Sequence, residues 1–157
     1  MEDNKVRLPV ILALKELKEN SPYYSKLICW YTNSKFYHVE VILKDIWISS
    51  QEGEGVHVAP LKPLNNKWCY VDLGEAVLSK REYVDVMNWI NEQVDKKYDW
   101  TGIVFSQFLP ASIHHSNKWF CSEISCRLLQ LLKYEQVQGI QPETLSPGDL
   151  AKLFKVE

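Results

Sequence analysis

Between residues 36 and 61 the apolar positions come in short runs, "FYHVEVIL", "IWISS" and "GVHVAPL", broken by Lys-Asp and by a Glu/Gly cluster. The runs are rich in β-branched and aromatic residues and the breaks in turn formers, which is the pattern of short strands joined by hairpins. With "KLICWY" before them and "KWCYVDLG" after, they predict an antiparallel meander over about residues 26–73. Upstream, Val6 to Lys18 reads equally as a helix or as a strand running into a helix, because Pro9 spoils either pattern.

The period then changes. Ser79 with Glu82 three residues on forms a capping box, and Leu78 can staple against Tyr83. Tyr83, Val86, Met87, Ile90 and Val94 mark one apolar face of a helix that should end near Lys97. A loop, "YDWTGIVFSQFLPASIHHSNKWF", leads to a second helix that opens at Cys121 and turns Ile124, Leu128, Leu131 and Leu132 inward. In "SPGDLAKLF" Ser146 caps a last short helix with Pro147 at its first position. No repeat or linker interrupts the pattern. The expectation is one α+β domain over residues 1–157, an antiparallel sheet meander packed with helices.

Composition narrows the function classes. The 157 residues are 46% hydrophobic and 24% charged, enough for one buried core without disulfide or metal staples. A net charge of −2 supplies no basic field for a nucleic-acid backbone, so nucleic acid is not expected as a partner. "LPVILAL" is too short to span a bilayer and lacks a small-residue cleavage site. The expectation is therefore a cytoplasmic chain starting at Met1 with no transmembrane segment. Nothing in the pattern fixes an oligomeric state.

Cys29, Cys69, Cys121 and Cys126 show neither CxxC nor zinc-like spacing, so neither a metal nor another cofactor is expected. On one helix Cys121 and Cys126 would point roughly 140° apart and could not bridge. Cys121 differs from the others in position. A helix start offers unpaired N–H groups and partial positive charge, which favour a thiolate, whereas a buried packing thiol is the plain alternative. Cys29 and Cys69, within predicted strands, and Cys126, mid-helix, read as packing.

A thiol nucleophile needs a base, usually His, and a third group to orient it. His38 and Glu40 stand at i and i+2 in "FYHVEVIL", a polar pair on one face of an otherwise apolar strand. Such a pair destabilises unless it is partnered or faces a cleft. His38 is thus either a satisfied core histidine or the base. His57 alternates with valines and is expected to face solvent, and His114 and His115 lie in a Pro/Ser/Asn-flanked loop where they could rim a cleft.

In order, "HVEV", "WISSQEGEGVHVAPL", "YDWTGI", an aromatic followed by "CSE", and "SPGDLA" together resemble the circularly permuted NlpC-type papain-like cysteine hydrolases, the YiiX-like branch. His precedes Cys here, as in the permuted members and their lecithin:retinol acyltransferase relatives. The resemblance covers about residues 26–154 and implies a circularly permuted papain-like fold with Cys121 as nucleophile and His38 as base. It implies hydrolysis of an amide, such as a peptide or cell-wall peptide bond, through a thioacyl intermediate. Lipid or thioester acyl transfer and a non-catalytic binding module on the same fold are the alternatives. The substrate would be a peptide, lipid or other acyl compound. Glu123 reads as a stabiliser of the helix start. Gly102 would allow a close turn, Tyr98 would either reach the cleft or pack, and the Cys121 N–H would supply one oxyanion donor.

The third residue departs from the family pattern, in which His or Glu commonly follows on the next strand where this chain has Ser49, Ser50 and Gln51. If Lys44 and Asp45 form a two-residue tip, opposed positions pair Leu43 with Ile46, Glu40 with Ser49 and His38 with Gln51. Gln51 is then the expected orienting residue and Glu40 the second candidate. A three-residue loop would substitute Glu52, and the family spacing Ser50.

Overall fold

The structure is a computed structural model that describes residues 4–51, 53–98 and 118–156; Gly102, His114, His115, Glu52 and the Tyr98 side chain lie outside the described residues. It is α+β: a five-stranded antiparallel sheet with helices packed on it. The strands are β1 (Lys5–Glu16), β2 (Phe36–Leu43), β3 (Ile46–Gln51), β4 (Gly55–Pro60) and β5 (Cys69–Ser79), in the order β4-β3-β2-β1-β5.

Three strands, β2 to β4, form the expected meander, and β1 intervenes between β2 and β5. The N-terminal segment resolves as a strand. Pro9 has no N–H to give, and the β1–β5 register shifts between Pro9 and Ile11 while the Pro9 carbonyl accepts from Lys44 N at 2.8 Å.

"KLICWY" is corrected from strand to helix: it lies in α1 (Tyr23–Thr32), which starts after Pro22 and stops at left-handed Asn33. Cys29 is accordingly a buried helix residue rather than a strand one.

Helix α2 (Lys80–Gln93) has the expected capping box, with Ser79 Oγ accepting from Glu82 N and Glu82 accepting from Ser79 N at 2.8 Å. Two short strands, β6 (Lys97–Tyr98) and β7 (Lys118–Trp119), pair in parallel just before α3 (Cys121–Leu131). The last helix, α4 (Pro147–Leu153), is capped by Ser146, whose Oγ accepts from Asp149 N at 3.1 Å.

Register sorts the two sheet faces. Val10 pairs with Leu43, Leu12 with Val41 and Leu14 with Val39, and these side chains join Val86, Ile90, Ile124, Leu128 and Leu150 in the buried core. On the opposite parity Ala13 pairs with Glu40 and Lys15 with His38. Strands β4 and β5 occupy opposite edges, so residues 61–68 must cross about 19 Å of sheet, within the roughly 27 Å that eight extended residues can reach. That crossover places Lys62, Pro63, Asn65 and Trp68 over Glu40.

Candidate active site

Strand β2 supplies His38 and Glu40, 8% and 3% exposed. Two successive residues of one parity put both side chains on one face, and His38 Nε2 lies 2.9 Å from Glu40 Oε1. The same Oε1 accepts from Ser49 Oγ at 2.5 Å and from Gln51 Nε2 at 2.6 Å. One carboxylate oxygen thus gathers three neighbours from two strands, which satisfies a buried charge that would otherwise be costly.

The tip of the β2–β3 hairpin has the expected register, Leu43 with Ile46 and Val41 with Ile48. The expected contact of Gln51 with the imidazole is corrected: Gln51 holds Glu40, and Glu40 holds His38. The described β2–β3 ladder stops at Val41–Ile48. Beyond it the same-strand carboxylate is the group that meets the ring, and Gln51 reaches only as far as that carboxylate.

Cys121 opens α3, which packs on β2 and β3. Its charge and hydrogen bonding act on the His38 imidazole, so the two side chains are neighbours. Burial, the largest influence on His38, opposes its charged form. The charge and hydrogen bonds of Cys121 and Glu40 together outweigh it and push the imidazole up to about 9. Burial likewise acts to raise Glu40, but the hydrogen bond and charge of His38, with the bonds from Ser49 and Gln51, bring it below its ordinary value. The arrangement favours a carboxylate and an imidazolium side by side.

Local bonds hold the thiol-bearing turn. Phe120 N donates to Glu123 Oε2 at 3.2 Å, the helix-start role expected for Glu123. Ser122 Oγ donates to the Leu145 carbonyl at 2.6 Å, tying α3 to the segment before α4. Cys121 itself is wholly buried. For the other helical cysteines, burial pushes Cys29 up to about 11 and Cys126 up to about 12.

The crossover encloses the histidine from the other side. The Trp68 ring centroid lies 5.9 Å from that of His38 and 5.1 Å from that of Trp47, and Lys15 Nζ sits 4.6 Å from the Trp68 centroid. A cavity of about 180 Å³ opens between Trp47, Trp68, Lys62 and His57, with Glu40 and Gln51 in its wall. His57, expected to face solvent, is only half-buried there and lies 3.6 Å from Glu54. The sequence reading missed Trp47 and Trp68 as site residues. For Trp47 the available signal was the polar parity of His38, Glu40, Ser49 and Gln51, which it shares on β3.

Among the described residues no cluster of three or more His, Cys, Asp or Glu could hold a metal ion. No helix among them is long and apolar enough to cross a membrane. No protein-family model matches the chain, and no curated protein matches it significantly.

Proposed function

We propose that the protein is a thiol-dependent acyl hydrolase on a circularly permuted papain-like fold, with Cys121 as nucleophile, His38 as proton carrier and Glu40 as the group that orients His38. The observation that supports this best is the His38–Glu40 pair, 2.9 Å apart on one strand, with Cys121 at a helix start acting on the same imidazole. The thiolate attacks the carbonyl carbon of an amide or ester while the imidazolium protonates the leaving nitrogen or oxygen. Water, deprotonated by the neutral imidazole, then cleaves the thioacyl bond and restores the thiol pair. N–H groups of the first turn of α3, which have no acceptor within the helix, are suited to receive the carbonyl oxygen. An amide of a peptide or cell-wall peptide is the preferred substrate, and lipid or thioester acyl groups follow the same chemistry.

The complete burial of Cys121 favours a second reading, a binding module that keeps the fold without turnover. Iodoacetamide labelling of the native chain separates the two. A catalytic thiol is carboxymethylated at neutral pH at a rate that falls in His38→Ala, and Cys121→Ala removes both the fast label, leaving that of the half-buried Cys69, and hydrolysis of acyl-amide and acyl-ester reporters. Labelling that begins only on unfolding establishes the binding module instead.

A further inference from the structure

Helix α1 is built inside out. Its buried residues are Ser25, Ile28 and Cys29, while Tyr23, Leu27 and Trp30 are 83%, 54% and 78% exposed. Those three stand at i, i+4 and i+7, so they form one stripe along the helix. Scattered exposed apolar residues are ordinary, but a contiguous stripe containing a largely exposed Trp and Tyr marks a surface that meets something less polar than water.

The charge around its end indicates what that something is. Beyond Thr32 the chain passes through Asn33, Ser34 and Lys35 into an open pocket of about 560 Å³, whose other wall carries Lys152 and Lys155 from α4 and the residues after it. Among the described residues, Lys35, Lys152 and Lys155 are its charged lining residues and no acidic residue lines it. Glu16 lies 3.7 Å from Lys35 outside the lining and offsets one of the three charges. Lys26 adds a fourth cation on α1 beside the stripe. On a chain of net charge −2, three ammonium groups around one concavity are a local excess that an anion relieves.

An aromatic and aliphatic stripe bordered by lysines is the composition of a helix that lies in a membrane interface, rings at the headgroup level and ammonium groups on anionic lipid. We infer that α1 and the lysine-lined pocket at its end form a docking surface for an anionic lipid bilayer. The chain lies on the bilayer through a ten-residue helix that is too short to cross it. This surface is separate from Cys121 and does not depend on its being a nucleophile.

Flotation of the full chain with vesicles tests the assignment. The protein should float with vesicles of phosphatidylcholine plus phosphatidylserine, much less with phosphatidylcholine alone, and progressively less as salt rises. Trp30→Asp, at a position open enough to tolerate it, should abolish flotation at an unchanged thermal midpoint; Trp30→Ser serves if the midpoint moves. Lys152→Gln and Lys155→Gln should each weaken binding by about fivefold, and Cys121→Ala should float like the parent chain. Failure of the parent chain to float with phosphatidylserine vesicles overturns the assignment. So does undiminished flotation of the Trp30 variant. Concentration-dependent sedimentation of the parent chain that Trp30→Asp abolishes overturns it too, in favour of a second copy as the occupant.

Discussion

Glu40 Oε1 stands 2.9 Å from His38 Nε2 and 2.6 Å from Gln51 Nε2, so the carboxylate lies between the amide and the imidazole. This fixes a rank order for two substitutions. Glu40→Gln keeps the shape and removes the charge that supports the imidazolium, and it should lower turnover on the order of a hundredfold. Gln51→Ala deletes one hydrogen bond to a charged group and should cost roughly tenfold. Imidazole titration by NMR should place His38 near 9 in the parent chain and lower in Glu40→Gln. An inactive Gln51→Ala beside a fully active Glu40→Gln reverses the order and returns the orienting role to the amide.

Stability should be highest in a mildly acidic window. His38 rises from 6.5 to about 9 on folding, so the stabilisation it contributes is complete below 6.5 and is lost as pH climbs through 9. Glu40 falls below 4.5, so its contribution is present above 4.5 and is lost as pH drops through the lowered folded value. Thermal midpoints should therefore be level between about 4.5 and 6.5 and decline on both sides. The alkaline decline, about 3 kcal/mol at most, should be absent in His38→Ala. A midpoint that rises from pH 7 to pH 9 contradicts the protonated imidazole.

Gly148 sits where "SPGDLA" meets the start of β2. A Cβ there would lie 2.2 Å from Ser34 Oγ and 2.3 Å from Ser34 Cβ. Ser34 Oγ also accepts from Phe36 N at 3.1 Å, so the clash falls on the turn that leads into the His38 strand. Gly148→Ala should destabilise by about 1–3 kcal/mol, read as a lower urea midpoint. Adding Ser34→Gly should restore part of the loss, which a general helix-start effect of alanine would not allow.

Thiol labelling should discriminate among buried cysteines. Cys29 and Cys126, raised by burial to about 11 and about 12, should stay unmodified in the native chain at neutral pH and react only in denaturant. Peptide mass mapping after a short iodoacetamide pulse reads this directly. Native labelling of Cys126 at the rate of Cys121 would show that contact with His38 confers nothing on the thiol.

The local features were legible, and the misreadings trace to tertiary context. A two-residue tip at Lys44 and Asp45 fixes Leu43 against Ile46 by counting, and Ser79, Glu82, Ser146 and Pro147 announce their helices through backbone donors that need acceptors. In α1, Ile28, Trp30 and Tyr31 carry strand propensity, but the chain is helical there and turns Ser25, Ile28 and Cys29 inward. Pro22 at its start was the signal to weigh against that propensity. Parity grouped His38, Glu40, Ser49 and Gln51 correctly, but which of them touch depends on how far the β2–β3 ladder continues, and pairing arithmetic carries no information on that. The place of β1 between β2 and β5 is likewise a matter of partner choice, which a strand's own residues do not encode.

That placement bears on how the chain can go wrong. β1 pairs with β2 and with β5, and its segment Leu12 to Leu14 is wholly buried and uncharged. Until Cys69–Ser79 docks, one side of "LPVILAL" presents free backbone N–H and C=O groups, a template on which another chain can add a strand. Pro9 toward one end and Lys15 and Glu16 at the other act as gatekeepers that shorten the template. Aggregation on partial unfolding should thus follow detachment of β5, and the exposed edge of β1 is where an unfinished or damaged chain is open to a wrong partner.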